Sequence, residues 1–178
     1  MPFTPFHLGP ALALGLPIRG YLHVPTFILA NVILDVEPFF VLLFGLNYPL
    51  HGYAHTFLLA LPIGIILGYF MSFIEKFLHP LFKVLLLENG NKWALKPFMV
   101  AGILGTTLHI LLDSPLYVDI QPFYPIRMNP FYNPVLSSEI YILCVWLAIA
   151  GVAYYAGLQI LLIYQKLSAH KRLTQPRG

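Results

Sequence analysis

Residues 106–117, TTLHILLDSPLY, end an apolar run with a histidine and an aspartate. His109 and Asp113 are four residues apart, about one helical turn, so on a helix their side chains lie one above the other on the same face. An imidazole and a carboxylate placed in this way can bind one divalent metal ion. Ser114 and Pro115 follow directly and predict that the helix ends there.

A second pair, His51 and His55 in HGYAH, has the same spacing at the beginning of another apolar run. On a helix these two residues would resemble the histidine pair of known zinc sites. His7 and Asp35 are two further polar residues in apolar surroundings. Either pair alone is a weak pattern, but together the four segments predict a metal site.

The composition is that of an integral membrane protein. Of the 178 residues, 58% are hydrophobic and 10% are charged, whereas a soluble domain has about 25% charged residues. Cys144 is the only cysteine, so an intrachain disulfide is excluded. We expect membrane lipid, and no nucleic acid, as the partner. The first residues lack the basic region of a signal peptide, so we expect them to be retained.

The apolar runs predict an all-α, polytopic helical membrane protein, since a spanning helix needs about 20 apolar residues. Runs at 25–46, 53–77 and 139–164 are long enough, and those at 6–17 and 97–112 predict two shorter or re-entrant helices. We therefore expect about three full spanning helices plus two shorter ones. They form a single domain over residues 1–165, followed by a basic, disordered cytoplasmic tail over residues 166–178.

The basic residues predict the orientation, because lysine and arginine concentrate in cytoplasmic loops. Threading the five segments back and forth puts nine of them on one side and Arg127 alone on the other. The nine are Arg19, Lys76, Lys83, Lys92, Lys96, Lys166, Lys171, Arg172 and Arg177. We therefore predict a multi-pass protein of the inner or plasma membrane with a cytoplasmic C-terminus. The candidate ligands then face the extracytoplasmic side.

Two acidic residues lie within the second apolar run. Asp35 is near mid-depth, where an ionised group costs at least ~2.5 to 3.5 kcal/mol, so it needs a metal, a histidine or another cation as partner. Alternatively, it is protonated or bonded to Asn31. Glu37 precedes Pro38, which should kink the helix. It could be a general base, an acceptor that orients a metal ligand, or a residue without a special role.

The outer loop QPFYPIRMNPFYNP, residues 121–134, is rich in aromatic residues and prolines. It could be an interfacial aromatic belt, or a lid in which Arg127 pairs with a substrate phosphate. His23, His79 and His170 lie on the cytoplasmic side by the same threading, and we interpret them as ordinary interfacial residues.

The chain resembles the predicted membrane-bound metal-dependent hydrolases, a family of small inner-membrane proteins that includes a LexA-regulated bacterial member. The matching segments are TPFHLGPALALG (4–15), LDVEP (34–38), HGYAHTF (51–57) and HILLD (109–113). HILLD is also similar to the HxxxD motif of zinc-dependent phospholipase C. The chain has Gly52 where the family often has arginine, and Glu37 where it often has aspartate. The resemblance implies these metal-site positions: His7, Asp35, His51, His55, His109 and Asp113.

These observations predict a metal-dependent hydrolase in which a metal-activated water attacks a lipid or lipid-linked ester or phosphoester. The expected cofactor is one or two divalent ions, and we predict zinc on these ligands. We predict Asp35 and Glu37 as catalytic residues and Arg127 as the substrate-binding residue. The alternative is a non-catalytic metal-binding protein that serves in transport or as a scaffold, since a structural zinc has its positions filled by protein.

Overall fold

The computed structural model describes residues 4–85, 87 and 94–174, and within these ranges the protein is all-α. Its helices are α1 (Thr4–Gly15), α2 (Val24–Ala30), α3 (Val36–Phe44), α4 (Phe57–Val84), α5 (Leu95–Asp113) and α6 (Ser137–Thr174). Short 3-10 helices are Ile33–Asp35, Tyr53–His55 and Pro134–Leu136. Lys92 and Arg177 lie outside the described residues, as do the side chains of Lys166, His170, Lys171 and Arg172.

Four segments are long and apolar enough to cross a membrane: Val24–Phe44, Phe57–Val84, Leu95–Asp113 and Pro134–Gln165. Their outer faces expose large apolar side chains such as Phe70 and Trp146, as expected for surfaces in contact with lipid. The protein is therefore a polytopic helical membrane protein, as predicted.

Several predicted boundaries differ from those of the helices, and two of the differences change the interpretation. The helix expected at 97–112 begins at Leu95, because Pro97 is tolerated in a first helical turn, and so it is long enough to span. At the other end of the chain, α6 continues through Thr174, so residues 166–174 are helical rather than disordered. The short first helix is confirmed in length, since its apolar part is Phe6–Gly15.

The second spanning segment is interrupted, although at a different place from the predicted kink. Helix α2 ends at Ala30 and α3 begins at Val36, with a 3-10 turn between them. Pro38 lies in the first turn of α3, where a missing N–H costs nothing. At the interruption, the N–H of Asp35 donates to the Val32 carbonyl at 3.0 Å instead of to Asn31. The Asn31 carbonyl is thus left for another partner.

Helix packing brings the polar ends of several segments together. Helix α4 packs along α5, α1 along α6, and α2 against α5. The backbones of α4 and α5 touch at Gly64 and Gly102, where a Cβ on Gly102 would overlap the Gly64 carbonyl oxygen. As a result, the beginning of α4 and the end of α5 meet at one end of the bundle.

Glu75 and His23 together join three segments at the other end. Glu75 accepts from His23 Nε2 and from His79 Nδ1, each at 3.0 Å. The backbone N–H of His23 donates to the Pro97 carbonyl at 3.2 Å. His23 was predicted to be interfacial, and this is wrong. It is fully buried because it caps α2, accepting from the Thr26 N–H, and because it pairs with Glu75. Burial lowers the pKa of His23 to about 4, although Glu75 opposes the shift.

Candidate metal centre

All six residues predicted as metal ligands meet at one end of the bundle. They form two groups, in each of which one ligand atom per residue lies within 4.8 Å of the others. The first group is His7, Asp35, His109 and Asp113, and the second is His51, His55 and Asp113. Each of these residues is at most 8% exposed. Asp113 belongs to both groups, so the arrangement has room for one ion or for two that share this carboxylate.

Helix α5 supplies the central pair as predicted. His109 Nε2 lies 3.4 Å from Asp113 Oδ2, one turn further along the helix. Ser114 is the C-cap, and its hydroxyl donates to the Ile110 carbonyl at 2.6 Å. His7 Nε2 also lies 3.2 Å from Asp113 Oδ1, and this contact links α1 to the end of α5.

The second pair is brought together by a loop and not by a helix, which corrects the prediction. His55 lies in the 3-10 turn Tyr53–His55, and His51 precedes that turn. Helix α4 begins only at Phe57, because the Thr56 hydroxyl caps it by accepting from the Leu59 N–H at 3.3 Å. The two imidazole rings are nevertheless 4.9 Å apart.

Three of the histidines have their Nδ1 atoms fixed by partners outside the cluster. His51 Nδ1 lies 3.0 Å from Asp119 Oδ1, and His55 Nδ1 lies 3.0 Å from Glu37 Oε2. His109 Nδ1 lies 2.8 Å from the Asn31 carbonyl oxygen. This carbonyl does not accept from the Asp35 N–H, because the helix is interrupted there. Since a carboxylate and a carbonyl only accept, each Nδ1 must carry the proton. In a neutral ring, Nε2 then has a free lone pair directed at the cluster.

The facing Nε2 atoms of His55 and His109 are 3.3 Å apart. Two lone pairs at this distance repel each other, so a cation must lie between them: a proton or a metal ion. Zinc with Zn–N bonds of about 2.0–2.1 Å places tetrahedral ligand atoms about 3.3–3.4 Å apart. The spacing of these two histidines therefore fits a metal. The buried Nε2 of His51 has no hydrogen-bond partner among the described residues, which also fits a ligand position.

The charge states outside the spanning segments agree with this arrangement. Burial lowers the pKa of His55, and the hydrogen bond to Glu37 opposes that shift without reversing it. His55 is therefore neutral near pH 7. Burial by itself would raise the pKa of Asp119, but the hydrogen bonds from His51 outweigh it and hold the pKa below its usual range. Asp119 is therefore an ionised acceptor for His51.

Glu37 lies behind His55, on the side away from the cluster. Its carboxylate accepts from the Gly52 N–H at 2.9 Å, the Ala54 N–H at 3.2 Å and the Tyr48 hydroxyl at 3.2 Å, in addition to His55. These contacts fix the loop that carries His55. Of the roles predicted for Glu37, this geometry supports the acceptor that orients a metal ligand.

Asp119 is the functional residue that the sequence reasoning missed. It lies in the loop after α5, and its oxygens accept from both Nδ1 and the backbone N–H of His51, each at 3.0 Å. The partners are 68 residues apart and lie in two different loops, so no spacing rule connects them. The available signal was an acidic residue between Val118 and Ile120, close to the HxxxD pattern.

A cavity of about 270 Å³ opens beside the cluster, between the loop before α4 and the loop after α5. His51 and Asp119 form part of its wall, and so do Arg127 and the aromatic rings of Tyr53 and Tyr124. Arg127, the predicted substrate-binding residue, thus lines the space next to His51 without belonging to the cluster.

Compared with known proteins, the chain matches no protein-family model, no curated protein and no solved structure. The resemblance to membrane-bound metal-dependent hydrolases therefore stays a prediction. What the site does must be argued from its own geometry.

Proposed function

We propose that the protein is a membrane-embedded metal-dependent hydrolase that cleaves an ester or phosphoester of a lipid or lipid-linked substrate. The observation that carries the proposal is the position of His51, which belongs to the candidate ligand cluster and also lines the adjacent cavity. Structural zinc sites are closed by four protein ligands, whereas catalytic sites keep a position open. A cluster that borders a cavity through His51 supports the catalytic alternative over the closed one.

The donor set supports zinc as the proposed metal. Four imidazoles and two carboxylates are the ligands of borderline divalent ions, while magnesium and calcium prefer all-oxygen sites. A divalent ion held here would supply Lewis-acid chemistry: it lowers the pKa of water toward neutrality and stabilises the negative charge that develops on ester oxygens. In the hydrolysis, water oxygen bonds to carbon or phosphorus, the ester bond breaks, and the departing oxygen takes a proton.

The chain's own residues prepare this chemistry. Asp119, Glu37 and the Asn31 carbonyl hold three imidazoles in the tautomer that directs Nε2 at the cluster. Such outer partners orient ligands and increase their basicity. Asp35 and Asp113 bring two carboxylates whose charge would offset that of the ion. We therefore propose Asp35 as a ligand and Glu37 as a positioning residue.

The place of the site in the chain supports a membrane substrate. The pair His109 and Asp113 lies at the end of the spanning helix α5, and the cavity is lined by residues that fall between the candidate spans. A lipid headgroup lies at the same depth. From the distribution of basic residues, we propose that this end of the bundle faces the extracytoplasmic side.

The test is release of headgroup or phosphate from a panel of phospholipids and polyprenyl phosphates in detergent micelles. We expect turnover that a chelator abolishes and added zinc restores, and that His109→Ala lacks. Lys96→Gln, which removes an exposed charge at the other end of α5, should keep full turnover. If metal-loaded protein shows no chelator-sensitive turnover on any lipid, the hydrolase is excluded and a metal-binding transport or scaffold role takes its place.

A further inference from the structure

The cavity beside the cluster is formed by segments that connect candidate membrane spans. The residues that line it belong to 48–56 and 119–127, two ranges that fall between the candidate membrane spans. Tyr53 and Tyr124 pack edge to face there, with ring centroids 5.0 Å apart. Tyrosine is typical of the membrane interface, where one end of the side chain is apolar and the other is wet. A cavity in this position could receive the polar part of an amphiphile.

The charges in the cavity are not equally available to a ligand. Both oxygens of Asp119 are taken by His51, through its backbone N–H and its imidazole. Arg127 forms no hydrogen bond or ion pair with any residue that the structure describes. Arg127 thus presents a positive charge with no partner among the described residues, while both oxygens of Asp119 are already hydrogen-bonded, which favours an anionic ligand at Arg127.

We infer that this cavity binds a phosphate group, with Arg127 as its charge partner. The inference rests on the proposed function and names its substrate class: the headgroup of an anionic phospholipid, or a soluble phosphate ester. The planar guanidinium of arginine matches two phosphate oxygens at once, and such charge-assisted pairs are the strong ones. A phosphate held by Arg127 lies in the same cavity as His51, so the ester bond of its headgroup is brought to the candidate centre.

The test measures binding without turnover, so that it is independent of the hydrolase proposal. The protein, purified in neutral detergent with its metal retained, is titrated calorimetrically with a dihexyl ether glycerophosphonate, which contains no hydrolysable ester. Dihexylglycerol ether is the ligand control without phosphorus, and methylphosphonate is the soluble probe. The variants are Arg127→Gln and the matched control Lys96→Gln.

We expect the lipid phosphonate to bind about tenfold more tightly than dihexylglycerol ether, and Arg127→Gln to abolish that difference while Lys96→Gln keeps it. Methylphosphonate binding as tightly as the lipid phosphonate would support the site with a soluble phosphate ester as its ligand. Equal binding of the lipid phosphonate to wild type and Arg127→Gln would overturn the inference, even in a protein that hydrolyses lipids. If the difference in affinity between the two lipids depends on Arg127 but no chelator-sensitive turnover is found, the hydrolase proposal is wrong and the phosphate site is still supported.

Discussion

His51, His55 and His109 each turn Nδ1 away from the cluster, toward Asp119, Glu37 and the Asn31 carbonyl. A buried imidazole with both nitrogens in apolar surroundings would lose its hydrogen bonds to water without replacement. One partner behind each ring satisfies one nitrogen and leaves the other with a lone pair. These contacts therefore orient three buried histidines and leave one ring nitrogen of each directed at the cluster.

The Asp119→Asn variant tests whether the partner behind His51 supports metal binding. The amide keeps the size of the side chain but removes the charge that holds the His51 tautomer, so zinc affinity should fall about 10- to 100-fold. Competition with a chromophoric chelator measures the affinity. Glu139→Gln, at an exposed position in the first turn of α6, removes one negative charge elsewhere and should leave the affinity unchanged. An unchanged affinity in Asp119→Asn would show that Asp119 does not support a ligand.

At the scale of single residues, the sequence predicted the six residues that cluster but not the partners behind them. An ionisable side chain in an apolar run is conspicuous, because burying it is costly and needs compensation. Asp119 lies in a loop, where acidic residues are ordinary, and the carbonyl that serves His109 comes from the backbone of Asn31. Neither contact has a signal in residue type or spacing.

Among the helices, the contact between α4 and α5 positions the cluster. The backbones touch at Gly64 and Gly102, and α5 continues from there to His109 and Asp113. His55 lies just before α4. The facing Nε2 atoms of His55 and His109 thus depend on how closely these two helices approach each other.

Gly102→Ala should push α4 and α5 apart, because the added methyl group overlaps the Gly64 carbonyl. We expect a loss of about 1–3 kcal/mol in stability, as for overpacked cores, and a lower metal content. Thermal unfolding in detergent and elemental analysis measure the two effects. Gly157→Ala is the control, since a Cβ there meets nothing within 4 Å. Equal stability and metal content in the two variants would contradict the positioning role of this contact.

The helices also show which patterns can be interpreted from sequence. HxxxD lies on α5 as predicted, because the apolar run continues up to Asp113 and Ser114 ends it. HxxxH does not lie on a helix, because Thr56 is the stronger N-cap and α4 begins after it. The interruption after Ala30 has no proline or glycine to indicate it, so the kink was assigned to Pro38 instead.

Across the whole molecule, polar groups concentrate at the two ends of an apolar bundle. The candidate metal centre occupies one end, and Glu75 with His23 and His79 occupies the other. Hydropathy predicted the all-α membrane fold, since every spanning segment must satisfy its backbone internally. Threading the segments also predicted that the six candidate ligands lie at one end. It could not predict their distances, which depend on the approach of the helices and on two loops.

The proposed orientation predicts opposite accessibility for the two ends. In a Cys144→Ser background, Arg127→Cys should react with a membrane-impermeant maleimide in intact cells, and Lys83→Cys only after permeabilisation. Lys83 lies in the last turn of α4, and Arg127 lines the cavity beside the residues that precede its first turn. Helix α4 has 28 residues and so is about 40 Å long. The expectation follows from the distribution of basic residues. The reverse labelling pattern would place the cluster on the cytoplasmic side.

Metal content of wild type and Asp113→Asn tests the central claim most directly, because Asp113 belongs to both ligand groups. After zinc reconstitution and removal of excess metal, elemental analysis of wild type should give about one or two ions per chain. Asp113→Asn should lose most of this metal, while Glu139→Gln should retain it. A wild type without stoichiometric metal, or an Asp113→Asn variant that keeps the full complement, would contradict the assignment of these six residues as a metal centre.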